Sequence, residues 1–131
     1  SDIYGISHLH FSNDRWAVDI GANMGHVTIH LLKRHPSLRV LAIEPCPAVF
    51  KYLLWNLRTN GVADRCVALN VGVAHAEGLM TLKQSTMFPE ISSTYQDLSR
   101  YRITTWTNTW RVESVPVARL ATLLSRSEVP L

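Results

Sequence analysis

The sequence predicts an α/β fold built on parallel strands, and three features predict it. A short apolar run, Ala17 to Ile20, leads into a turn bearing Gly21 and Gly25. A helical pattern begins near His26, and a second apolar run, Val40 to Ile43, ends in the single carboxylate Glu44. Strand, glycine turn, helix, strand and terminal acid is the layout by which parallel α/β proteins hold nucleoside ligands. The turn lets backbone approach a ligand's polar end, and the acid can accept from two sugar hydroxyls.

Each element can be justified in order. Residues 1–15 are polar with scattered aromatics and histidines, a lead-in to a domain at 16–131. The first strand is expected at Ala17 to Ile20. Between His26 and His35, Val27, Leu31 and Leu32 fall at helical spacing, and Pro36 stops the helix. The second strand is expected at Arg39 to Ile43. Pro47 suits a first helical turn, and Val49, Phe50, Leu53, Leu54 and Leu57 form one apolar stripe. Asn60-Gly61 then provides a left-handed stop. A third strand follows at Cys66 to Leu69, and Glu77-Gly78 turns into a β-hairpin-like extension at Leu79 to Lys83. The stretch from Gln84 to Asn108 is rich in Ser, Thr and Tyr and has no clean period, as in a substrate loop, a lid or a plain insertion. Arg111 to Val117 alternates like a strand, and Ala118 to Ser125 reads as a short helix.

Composition bounds the partners. The chain has 131 residues, 47% of them hydrophobic and 18% charged, which is ordinary for one globular domain. A net charge of +3, spread without a Lys/Arg run, is too mild and diffuse to argue for nucleic acid or membrane binding, and no nucleic acid partner is expected. No stretch is apolar and long enough to span a bilayer, and no signal peptide is visible. Cys46 and Cys66 do not make a disulfide framework, each lies beside an expected strand, and the compartment stays open. His26 and His30 stand four apart like zinc ligands on a helix, but no acid separates them and no third ligand is evident, so no metal is assigned.

The turn decides which nucleoside fits. A dinucleotide site carries a middle glycine that admits a pyrophosphate, whereas this turn has Asn23 there. Asparagine narrows the space and supplies an amide for an amino acid carboxylate, which suits S-adenosyl-L-methionine better than NAD. Val18-Asp19-Ile20-Gly21-Ala22-Asn23-Met24-Gly25 resembles the first motif of the FkbM-type family of class I S-adenosylmethionine-dependent methyltransferases, V-D-[IV]-G-A-N-x-G. Ala42-Ile43-Glu44-Pro45 resembles the family's second motif, and the stretch from Asn70 to Gly78 partly resembles its third. The resemblance runs from Trp16 to about Leu124.

That resemblance implies a Rossmann-like parallel sheet of the class I methyltransferase type, S-adenosyl-L-methionine as cofactor and a small-molecule or sugar hydroxyl as methyl acceptor. It places Gly21, Ala22, Asn23 and Gly25 around the methionine moiety and Asp19 on its ammonium. Glu44 falls on the ribose, Pro45 in the following turn, and Asn70 and Val71 beside adenine. From the residues themselves, Tyr95, Tyr101, Trp106 and Trp110 could line an acceptor pocket or equally be exposed aromatics packed on a β extension, and Arg100, Arg102 and Arg111 read better as a solvated basic face than as attracting an acidic acceptor. No catalytic base can be assigned.

Departures from the family are equally specific. Ala74-His75 stands where Gly-Asp is usual, and Arg119-Leu120-Ala121 stands where T-L-D is usual. A strand carrying D-[VI]-E-G is not found before Leu131. The expectation is therefore a sheet incomplete at its C-terminal end, in a fragment of a longer protein or in a homologue that self-associates. An interaction module that binds the cofactor without turnover is the alternative to an enzyme.

Overall fold

The computed structural model describes residues 15–85, 92–94 and 110–129. Its centre is a parallel sheet of three strands, β1 (Trp16–Ile20), β2 (Arg39–Ile43) and β3 (Cys66–Leu69), in the order β1-β2-β3. Residues Val40 to Ile43 of the middle strand are all buried. Both faces of a parallel sheet are covered by its crossovers, so such a strand must be apolar at consecutive positions rather than at alternate ones. Trp16 pairs with Arg39 at the start of the β1–β2 register, and the Arg39 guanidinium lies 5.2 Å from the centroid of the Trp16 ring. This cation–π contact fixes the register at the end remote from the turn.

Two helices cover one face and a third covers the other. Helices α1 (His26–Arg34) and α2 (Pro47–Thr59) bury Leu31, Leu32, Leu53 and Leu57 against Val40 and Ala42. Helix α3 (Leu120–Arg126) places Leu123 in a cluster with Leu41 and Ile43 on the opposite face. The alternation along β2 thus sends odd and even residues to two different cores. Strand β1 pairs only with β2 among the described residues, and Val18 and Ile20 are exposed on it.

The end of α1 is closed by a residue distant in sequence. Arg65, in a 3-10 turn at Ala63–Arg65, donates from Nη1 to the carbonyls of His35 (3.1 Å) and Leu38 (3.0 Å). Its Nη2 donates to Leu32 O at 2.7 Å. A planar guanidinium with several donors can satisfy orphan carbonyls at a helix C-terminus that water would otherwise have to reach. The adjoining Cys66 thiol is pushed up to about 11, chiefly by burial, which keeps it protonated and chemically quiet.

A second sheet joins β4 (Gly72–Val73), β5 (Gly78–Ser85), β6 (Ser92–Thr94) and β7 (Trp110–Ala118) in the order β4-β7-β5-β6. Strands β5 and β7 run antiparallel from Gly78↔Val117 to Ser85↔Trp110. Leu82 and Val115 face Val49 and Cys46 at the start of α2, while Leu79 and Val112 point to solvent. The sequence predicts a hairpin-like extension at Leu79 to Lys83 and a separate strand at Arg111 to Val117, without pairing them. The structure instead places β5 between β6 and β7, because β7 alternates for long enough to pair with the whole of β5.

The α1, α2, β2 and β3 expectations agree with the structure to within one residue, and β1 begins one residue earlier than expected. The last helix starts at Leu120 rather than Ala118, since Ala118 still belongs to β7 and its carbonyl accepts from Ala74 N. Most of the Gln84–Asn108 stretch lies outside the described residues, as do the side chains of the aromatic and arginine group expected near it.

Candidate functional site

The site forms where β1 ends. Gly21 (φ 76°), Asn23 (φ 54°) and Gly25 (φ 97°) all adopt left-handed backbone, so the chain reverses within a few residues. Glycine enters that region freely and asparagine better than most side chains, which explains the residue types at these positions. Gly25 also meets a spatial limit, because a Cβ there would lie 2.8 Å from Leu53 Cδ1 of α2.

The loop is fastened to β2 through its own backbone. Ile43 O accepts from Gly21 N at 2.8 Å and from Ala22 N at 2.9 Å, and Gly25 N donates to Ala22 O at 3.0 Å. The Glu44 carboxylate accepts from Asn23 N at 3.0 Å on Oε1 and from Cys46 N at 2.8 Å on Oε2. Glu44 is only 6% exposed. Burial pushes its carboxyl above the usual range, against the lowering effect of the Cys46 and Asn23 N–H groups, and the Asp19 charge adds to the rise. Glu44 therefore ties the end of β2 to both the loop and the start of α2, a role that sequence reading did not foresee.

These bonds change what the loop can offer. The N–H groups of Gly21, Ala22, Asn23 and Gly25 are all engaged within the protein. What remains lines a cavity of about 270 Å³ formed by Asp19, Gly21, Ala22, Asn23, His26 and Val27. Asp19 presents a carboxylate whose Oδ2 accepts from the buried Thr28 Oγ1 at 2.6 Å. Asn23 presents an amide oxygen that is buried and accepts no hydrogen bond among the described residues. Gly25 caps α1 without a side-chain bond, so the first N–H groups of the helix stay available beside His26 and Val27.

The other expected residues surround this cavity without lining it. Asn70 Nδ2 donates to Glu44 O at 2.8 Å and to Pro45 O at 3.1 Å, which braces the β2–α2 turn from the end of β3. Val71 packs with the α3-side core. Asn56, which no motif singled out, donates from Nδ2 to Met24 O at 2.8 Å and holds the far end of the loop to α2. Only its helical spacing is visible in sequence, so nothing there marks it. Among the described residues no group of three His, Cys, Asp or Glu could hold a metal ion.

Strand, left-handed loop, helix and a second strand ending in a buried acid define a parallel α/β protein with a ligand cavity at the carboxyl end of its sheet. The chain belongs to the Methyltransferase FkbM domain family, whose model matches residues 19–129. It is 31% identical over 88 residues to Methyltransferase sdnD of Sordaria araneosa, a match covering 67% of this chain and 32% of that protein. It is 28% identical over 87 residues to Methyltransferase 1 of Beauveria bassiana, covering 66% of this chain and 34% of that one. The chain thus spans about a third of the length of these curated relatives. A crystal structure of Methyltransferase FkbM from Methylobacillus flagellatus aligns over 59% of this chain and 22% of its own, with 24% identity and a TM-score of 0.49.

Proposed function

We propose that this chain carries the cofactor-binding part of an S-adenosyl-L-methionine-dependent methyltransferase that methylates a hydroxyl of a small molecule or sugar. The observation that carries the reading is the pairing of opposite groups around one cavity. Asp19 and the unpartnered Asn23 Oδ1 are acceptors, and the uncapped start of α1 is a set of donors. An amino acid zwitterion has the complementary pair, with its ammonium toward Asp19 and Asn23 and its carboxylate toward the helix N-terminus. The residues present therefore fit the methionine end of the cofactor.

When bound, the cofactor supplies a methyl group activated by the adjoining sulfonium. The chain's own contribution is orientation. Thr28 holds the Asp19 carboxylate in one position, and the bonds from Gly21 and Ala22 to Ile43 hold the loop. Glu44 retains lone pairs on both oxygens after accepting its two backbone bonds, enough to take the ribose hydroxyls. Asn70 and Pro45 shape the turn beside it, and Val71 follows where adenine would lie. Positioning of this kind lowers the barrier to displacement, and a hydroxyl acceptor must in addition give up its proton to a base, for which no residue is assigned.

Calorimetric titration with S-adenosylhomocysteine tests the reading, with NAD as control. Saturable binding lost in Asp19→Ala and in Glu44→Ala, and none for NAD, is expected. Absence of binding by the folded chain would overturn it. A second reading, cofactor binding without turnover, is favoured by Arg119-Leu120-Ala121, where an acid is expected. It predicts the same titration but no labelled methyl transfer from the cofactor to any hydroxyl acceptor.

A further inference from the structure

A second concavity lies outside the loop cavity, between α1 and α2. It measures about 410 Å³ and is lined by Met24, His26, Ile29, His30, Lys33, Asn56 and Asn60. That volume falls within the range of small-molecule sites. Residues 26, 30 and 33 are spaced to project from one face of α1, so two imidazoles and an ammonium enter the same groove. The opposite wall supplies two amides. Asn56 Nδ2 gives one hydrogen to Met24 O and Asn60 Nδ2 gives one to Asn56 O, each at 2.8 Å. Each amide nitrogen keeps a second hydrogen for a ligand.

Among the described residues no carboxylate lines the groove. Neither α1 nor α2 contains an Asp or Glu, while Arg34, Lys51 and Arg58 add three exposed cations to the same helical layer. The closest acids in sequence are Asp19, held by Thr28 in the loop cavity, the buried Glu44, and Asp64 in the 3-10 turn after α2. Along the sequence these cations look diffuse, which is why composition gives no argument for an anionic partner. The fold gathers them, because α1 and α2 pack side by side on one face of the sheet. Two imidazoles without a third ligand do not make a metal site, but donors and cations without a carboxylate suit an anion.

We propose that this groove binds a phosphate group carried on an organic ligand. A phosphate monoester offers several acceptor oxygens and close to two negative charges for His26, Lys33, Asn56 and Asn60 of the groove. Met24 and Ile29 add apolar surface for the carbon part of the ligand. His26 lines this groove and the loop cavity alike, so the two sites share a wall. The inference does not depend on which nucleoside the loop cavity takes.

The test follows the imidazole resonances of His26 and His30 by NMR while the protein is titrated with glycerol 3-phosphate. Parallel titrations use inorganic phosphate and phosphatidylcholine vesicles with and without phosphatidic acid. Saturable shifts at both histidines are expected, with affinity weakened about tenfold in Lys33→Ala and unchanged in Arg126→Ala on α3. A response to glycerol 3-phosphate but not to vesicles assigns a soluble phosphate ester, and the reverse assigns a lipid headgroup. No saturable shift with any phosphate would overturn the proposal. Equal weakening by Lys33→Ala and Arg126→Ala would do the same, since it would show only a response to net charge. Lys33 is exposed, so its removal leaves the fold intact and the comparison clean.

Discussion

Strands β2 and β7 are both rich in apolar residues, yet they are used in opposite ways. In β2, Val40, Leu41, Ala42 and Ile43 are all buried, and the strand feeds one core with its even residues and another with its odd ones. In β7, Val115 and Val117 are buried while Val112 is 57% exposed, and its partner β5 buries Leu82 but leaves Leu79 75% exposed. The middle of the parallel sheet is an interior wall and the antiparallel sheet a one-sided shell. The site belongs to the wall, where each residue of the loop is bonded to something already fixed. The shell contributes to it only from behind, through Leu82 and Val115 packing near Met24 and the start of α2.

The comparison is broken or sharpened most strongly by paired truncations. Leu41→Ala is expected to cost about 2–5 kcal/mol in denaturant unfolding, as for fully buried leucines elsewhere. Leu79→Ala is expected to cost no more than about 0.5 kcal/mol. Similar costs would mean that the outer face of the antiparallel sheet is covered in solution. Next in size is Arg65→Ala, which frees three carbonyls around the end of α1. A loss of about 2 kcal/mol is expected, with only partial recovery in Arg65→Lys, because an ammonium lacks the guanidinium's fork.

Substitutions in the loop come third. Gly21→Ala meets open space but must adopt left-handed backbone, at about 1 kcal/mol. Gly25→Ala carries the same strain and also drives a methyl group into Leu53, so its melting temperature should fall further and S-adenosylhomocysteine binding with it. Equal effects of the two would show that the loop and α2 are less tightly apposed than the 2.8 Å approach implies.

The smallest expected effect is a pH dependence confined to the wall. Glu44 is the one buried acid among the described residues, and its carboxyl titrates above the usual range. A raised folded value means that the folded chain holds this proton longer than the unfolded chain does. The resulting stabilisation is complete below the unfolded value and is lost as pH rises through the folded one. Relative to Glu44→Gln, which cannot titrate, the native chain should therefore lose thermal stability as pH climbs above the ordinary glutamate value of about 4. A difference that stays flat over this range would show that the two backbone donors outweigh burial.

Much of the wall was legible in the sequence, and little of the shell. The 2-to-3.6 switch in apolar spacing, the prolines at 36 and 47 and the Asn60-Gly61 stop locate β2, α1 and α2 because those signals are local. Strand β4 is two residues long and exists through its pairing with β7, more than forty residues away, so no local pattern announces it. The site shows the same division. Asp19, Asn23 and Glu44 stand out as residue types in a motif. That Glu44 holds the loop, that Asn70 braces the following turn, and that Asn56 pins Met24 are facts of distance rather than of spacing.

Four of the loop's backbone N–H groups are satisfied within the protein before any ligand arrives. The conformational entropy of ordering that turn is therefore lost during folding and not during association. A cavity prepared in this way recognises its ligand by fit to groups already fixed in the fold. Substitutions that loosen the fastening of the loop to Ile43 would transfer that ordering to the binding step. Affinity would then decline even though no atom that touches the ligand had changed.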